Sequence, residues 1–158
     1  MKHALRTGIT FGMTSGVITT LGLMVGLHSG THSRIVVLGG ILTIAIADAC
    51  SDALGIHVSE EAENVHTVKQ IWGSTIATFL SKFLFALTFT IPILWLPLST
   101  AIIVSLLWGM LILAILSYAM AKSQGETPWK IVAEHITIAL FVIVITHLVG
   151  DWVGTLGR

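Results

Sequence analysis

Asp48 and Asp52 stand one helical turn apart in "IAIADACSDALG" (44–55), a segment that is otherwise almost entirely apolar. At a spacing of four, both carboxylates share one helix face. If that helix spans a bilayer, each aspartate near its centre costs about 2.5–3.5 kcal/mol. Such a face must look into protein or water. Two neighbouring carboxylates repel each other when ionised, so they need a shared proton or a cation between them. The chemistry this offers is a divalent-cation site or a proton relay, with oxygen donors suited to hard or borderline metals. The plain structural alternative is an ion pair. Lys82 lies about eleven residues into the third apolar stretch, roughly 17 Å deep at helical rise, and Asp48 lies about 14 Å deep on the second. Lysine leans toward its own helix N-terminus, here toward Asp48. A Lys82–Asp48 pair is therefore one candidate reading, which leaves Asp52 free as the stronger candidate for function.

The elements that must carry these residues follow from composition. Of 158 residues, 54% are hydrophobic and 10% charged, and the mean hydropathy is +0.93. That leaves too few charges for the surface of a water-soluble domain, so the class is an integral membrane protein. A formal net charge of zero gives no basic face for nucleic acid. Cys50 is the single cysteine and cannot form an intrachain disulfide. Five stretches are long enough to span a bilayer as helices: 8–27, 35–57, 71–94, 100–121 and 129–149. Pro92 and Pro97 separate the third from the fourth. The first follows Lys2 and Arg6 but lacks a small-x-small cleavage site, so it is expected to stay as a helix rather than be removed. The fold class is thus all-α, one transmembrane domain over 1–158, with a short acidic connector at 58–70.

With five spans, Lys2, Arg6, Lys69, Lys122 and Lys130 share one side, against Arg34 and Arg158 on the other. Positive charge favours the cytoplasm, which predicts the N-terminus inside and the C-terminus outside. Trp72, Trp95, Trp129 and Trp152 fall near helix ends, where interfacial tryptophans belong. The first helix carries Gly8, Gly12 and Gly16, then Gly22, Gly26 and Gly30. Small residues at this spacing let helices approach closely in lipid, either within one chain or across a homodimer seam.

Beyond the second span, "HVSEEAENVH" holds His57, Glu60, Glu61, Glu63 and His66. These glutamates either collect cations at a pore mouth or keep a helix extension polar. His147 and Asp151 are also one turn apart, as an exit site or as a surface pair. Met13 and Met24 on the first helix are soft donors if they face a pore, and core residues otherwise.

With these residues in place, the chain resembles the vacuolar iron transporter family over nearly its whole length. The family's first helix has the pattern N-D-G-L-V-S-T-x-x-L-M-x-G. Here "TSGVITTLGLMVG" (14–26) matches at Gly16, Thr20, Leu23, Met24 and Gly26. Its second helix has S-M-A-x-G-E-Y-x-S. Here "SDALGIHVS" (51–59) matches at Ser51, Ala53, Gly55 and Ser59. "THLVG" (146–150) is similar to the family's terminal T-Y-x-x-G. The resemblance implies a five-helix homodimer that moves ferrous iron or manganese out of the cytosol in exchange for protons. It also places the family's helix-1 aspartate on Ser15, its helix-2 methionine on Asp52 and its glutamate on Ile56. The acid is thus lost from the first helix and doubled on the second. A carboxylate in place of a thioether hardens the site toward manganese, ferrous iron or magnesium.

The resulting expectation is a divalent metal transporter with no resident cofactor, in a prokaryotic plasma membrane, its partners being lipid, a second copy, the cation and protons. Glu60, Glu61 and Glu63 would gather the cation. Asp52 with Asp48 would take it at mid-membrane, and Ser15, Met24 and His57 would line the path. Two rivals stay open. One is a scaffold that keeps the fold without transport. The other is a membrane enzyme, because "DACSD" has the D-x3-D spacing of metal-dependent lipid phosphotransferases but lacks their upstream elements.

Overall fold

A computed structural model describes residues 2–156, without the side chains of Lys2 and His3; Arg158, counted in the charge balance above, lies outside the described residues. The chain forms α1 (Lys2–Thr31), α2 (Arg34–Glu63), α3 (Val68–Thr88), α4 (Thr90–Trp95), α5 (Leu98–Gln124) and α6 (Pro128–Leu156). α3 and α4 together make one span, Val68–Trp95, so five helical segments are long and apolar enough to cross a membrane. The N-terminus and the 64–67 and 125–127 linkers share one end of the bundle; the 32–33 and 96–97 turns share the other.

Local chemistry sets most boundaries. Asn64 and Gly125 end α2 and α5 in the left-handed conformation, with φ of 53° and 75°, which asparagine and glycine tolerate best. Thr67 and Gln70 form a reciprocal capping box that starts α3 and satisfies two orphan amide groups. The break between α3 and α4 falls at Phe89. Pro92 lacks an amide hydrogen and crowds the carbonyl four residues back, at Thr88. α2 runs six residues past its expected end at His57, to Glu63. The run "SEEAE" consists largely of helix formers, so most of the expected connector is helix and only 64–67 is linker.

α1 is the hub, packed against α2, α3, α5 and α6. Its glycines are all engaged within the chain. A methyl group on Gly12 would fall 2.5 Å from the Thr78 carbonyl oxygen and still closer to Ser81 Oγ. At the other end, Gly30 meets the Gly150 carbonyl, where an added Cβ would lie 2.9 Å from oxygen. The first three glycines therefore seat α3 and the last three seat α6, which answers the choice between intrachain packing and a dimer seam in favour of the former. Gly12→Ala forces a backbone shift and is expected to destabilise by about 1–3 kcal/mol; thermal unfolding in detergent reads this, and an unchanged midpoint would contradict the close approach. Between these contacts Val17, Leu21, Met24, Ile41, Phe89, Ile93 and Leu113 form a closed apolar core.

Candidate functional site: a lysine between two aspartates

The depth arithmetic brings Lys82 beside α2, and the buried surface of α3 explains how. Ser74, Thr78 and Lys82 follow one another at spacing four and are each at most 1% exposed. This polar stripe lies under Gly8, Gly12 and Gly16 of α1. Glycine leaves room for the lysine stem where a larger residue would not.

The Lys82 ammonium ends between both carboxylates, 2.5 Å from Asp48 Oδ2 and 2.5 Å from Asp52 Oδ2. Asp52 is thus not free, as the pairing with Asp48 alone would have left it. Two carboxylates one turn apart lie within reach of a single ammonium. Ser15 completes the cluster: its hydroxyl donates to Asp52 Oδ2 at 2.6 Å and accepts from Lys82 Nζ at 2.9 Å. The two aspartates are held differently. Asp52 accepts hydrogen bonds from both Ser15 and Lys82. The approach of Lys82 to Asp48 lacks hydrogen-bond alignment, and Asp48 Oδ2 has no hydrogen-bond donor. The contact with Asp48 is a Coulombic one, while Asp52 is tethered.

Asp48 is also the more open of the two, 27% exposed against 19%. It lines a groove of about 640 Å³ between α1 and α2, together with Thr19, Thr43 and Ser51. The groove extends past Leu27 and Gly40, toward the end of the bundle that holds the 32–33 turn. The site therefore combines an enclosed ammonium, a tethered carboxylate, and a second carboxylate facing a largely apolar groove.

The remaining expected residues do not join this cluster. Glu60 turns inward, 7% exposed, and accepts a hydrogen bond from Ser74 Oγ at 2.7 Å. Glu61 and Glu63 are exposed, and Glu63 lies 3.4 Å from His66. Successive helical residues point about 100° apart, so a continuous helix spreads the three glutamates rather than gathering them. His57 contacts Thr75 Oγ1 at 3.0 Å and the edge of Trp72, on the flank of α2 and α3. Met24 is fully enclosed in the apolar core and lines no path in this arrangement. His147 and Asp151 lie 3.5 Å apart, both more than half exposed. Asp151 also accepts from Ser29 of α1, a tie between α1 and α6 that spacing alone does not reveal. Among the described residues, no three His, Cys, Asp or Glu side chains converge as a metal-holding group. At Asp48 and Asp52 the charge between the carboxylates is the protein's own.

Fold and site together define a multi-pass α-helical membrane protein with a charged cluster inside the bundle. Neither a family model, nor a curated protein, nor a solved structure matches the chain significantly.

Proposed function

We propose that the protein is a cation transporter of the ferrous iron and manganese class, moving its cargo out of the cytosol in exchange for protons. The observation that carries this reading is Lys82, 1% exposed, clamped between Asp48 and Asp52. Two carboxylates and one ammonium leave the cluster with one net negative charge. A divalent cation in the ammonium's place would balance both carboxylates. Entry of the cargo therefore requires Lys82 to withdraw or to give up its proton, and return of the proton to Lys82 would expel the cargo. Competition between a fixed ammonium and a mobile cation for one carboxylate pair is a physical basis for exchange. Asp48 faces the α1–α2 groove, which runs toward the 32–33 end and so serves release of the cargo on the far side, while Asp52 and Ser15 hold the ammonium in reserve. The motifs similar to the vacuolar iron transporter family point the same way, as does the basic bias that puts the N-terminal end in the cytoplasm. The membrane expected is a prokaryotic plasma membrane, and the working unit a homodimer.

The test is ion flux into proteoliposomes, with ferrous iron and manganese in turn, under an imposed pH gradient. Wild type is expected to carry metal in a gradient-dependent way, and Asp52→Ala to carry none. Normal transport by Asp52→Ala would refute the mechanism. A second reading, a scaffold without transport, draws on the same contact, since an ammonium that never leaves its carboxylates is simply structural. Absence of flux from wild type for either metal would favour it.

A further inference from the structure

A separate cavity of about 440 Å³ lies between α1, α5 and α6, near the end of the bundle that holds the N-terminus. Arg6, Thr10, Thr14, Gln124 and His135 line it. Arg6 is near the start of α1, and Gln124 is the last residue of α5. Thr14 is two helical turns further in. Several polar side chains here are left without a protein partner, the exposed Arg6 and Gln124 among them. Thr19, Thr31, Thr75, Thr78, Thr137 and Thr146 each bond the carbonyl four residues back on their own helix. Thr10 and Thr14 make no such bond, and neither Arg6 nor Gln124 has a hydrogen-bond or ion-pair partner among the described residues. His135 is fixed at one ring nitrogen, 2.7 Å from Ser117 Oγ.

The lining thus includes a guanidinium, the hydroxyls of Thr7, Thr10 and Thr14, an amide and an imidazole, with no carboxylate among the lining residues. Guanidinium matches the paired oxygens of a phosphate, and hydroxyl and amide donors complete such a shell. Phe11 and Met120 supply an apolar wall beside these donors. Exposed Lys122 and Lys130 add positive charge at this end, against exposed Glu126 and Glu134. Basic pockets between transmembrane helices suit anionic headgroups. We propose that this cavity binds a phosphate oxyanion, carried by an anionic phospholipid whose headgroup sits on Arg6 and whose acyl chain lies along Phe11 and Met120. The proposal is independent of what the Lys82 cluster does.

The test uses the full chain in neutral detergent, loaded with phosphatidylglycerol or phosphatidylcholine, with bound lipid counted by native mass spectrometry. A parallel arm titrates inorganic phosphate alone. Phosphatidylglycerol is expected to be retained preferentially, and Arg6→Gln to reduce that preference by about fivefold or more. Lys122→Gln, a nearby exposed charge, should change it less. Thr10→Val with Thr14→Val keeps the helix and side-chain shape and should weaken retention too, so the site is read even if Arg6→Gln folds poorly. Saturable, Arg6-dependent binding of inorganic phosphate without lipid preference would keep the oxyanion site and make its ligand soluble. Equal retention of the two lipids with no phosphate binding, or a preference untouched by both the Arg6 and the threonine variants, would overturn the proposal.

Discussion

Lys82→Met is expected to destabilise the folded chain by about 3–5 kcal/mol, the usual cost of leaving buried charge without its partner. Asp48 and Asp52 would then face each other one turn apart with only Ser15 to donate to them. The shift in thermal midpoint should be on the order of 10 °C for a chain of this size. The companion variant decides the cause. Lys82→Met combined with Asp48→Asn and Asp52→Asn removes all three charges while keeping shape. Replacing a complete buried charge set is often neutral or stabilising, so the triple variant should recover most of the loss. If Lys82→Met alone unfolds at the wild-type temperature, the ammonium is not clamped between the carboxylates. If the triple variant is as unstable as the single one, the loss comes from packing of the lysine stem under Gly16, and charge is not its source.

The second large effect separates the two aspartates. On the transporter proposal, Asp48→Asn should lower metal flux by about 10–100-fold, the scale of losing support for a metal ligand, with little loss of stability. Asp48 receives no aligned hydrogen bond and faces the groove. Asp52→Asn should abolish flux and also lower stability, because it weakens two charge-assisted bonds from Ser15 and Lys82, each worth about 1.5–3 kcal/mol. Flux into proteoliposomes and thermal unfolding on the same preparations give both axes. Equal stability losses would erase the distinction between a tethered and an open carboxylate. Wild-type flux in Asp48→Asn would remove it from the path.

Much of this architecture is legible in the residues. Spans are set by apolar length, and all five appear where hydropathy puts them, though α1 begins six residues early, "SEEAE" carries α2 six residues onward, and α6 runs seven residues past its expected end at 149. Depth along two antiparallel helices makes a Lys82–Asp48 pair a candidate beside a cation site, and the structure holds that contact. Depth is not enough to show that the same ammonium reaches Asp52, because it says nothing of lateral reach. The glycines of α1 were ambiguous for a physical reason: close approach needs the same small residues whether the neighbour is α3, α6 or another copy. Proximity in sequence groups Glu60 with Glu61 and Glu63, whereas helical phase turns it alone toward Ser74. Arg6, Thr10, Thr14 and Gln124 give no motif at all. They come together only through the packing of α1 against α5 and α6.

The order in which the cluster's charges emerge has a consequence for how the protein is made. Asp52 leaves the ribosome 30 residues ahead of Lys82, so α2 reaches the membrane while its neutralising partner is still being synthesised. Two aspartates entering lipid alone would cost about 5–7 kcal/mol together. That penalty favours holding α2 back at the insertion machinery until α3 arrives, so that the two enter as a paired hairpin joined by the four-residue turn between Glu63 and Val68. The lysine is then a condition of biogenesis as well as of the finished site, and a chain truncated before residue 82 should fail to integrate its second segment.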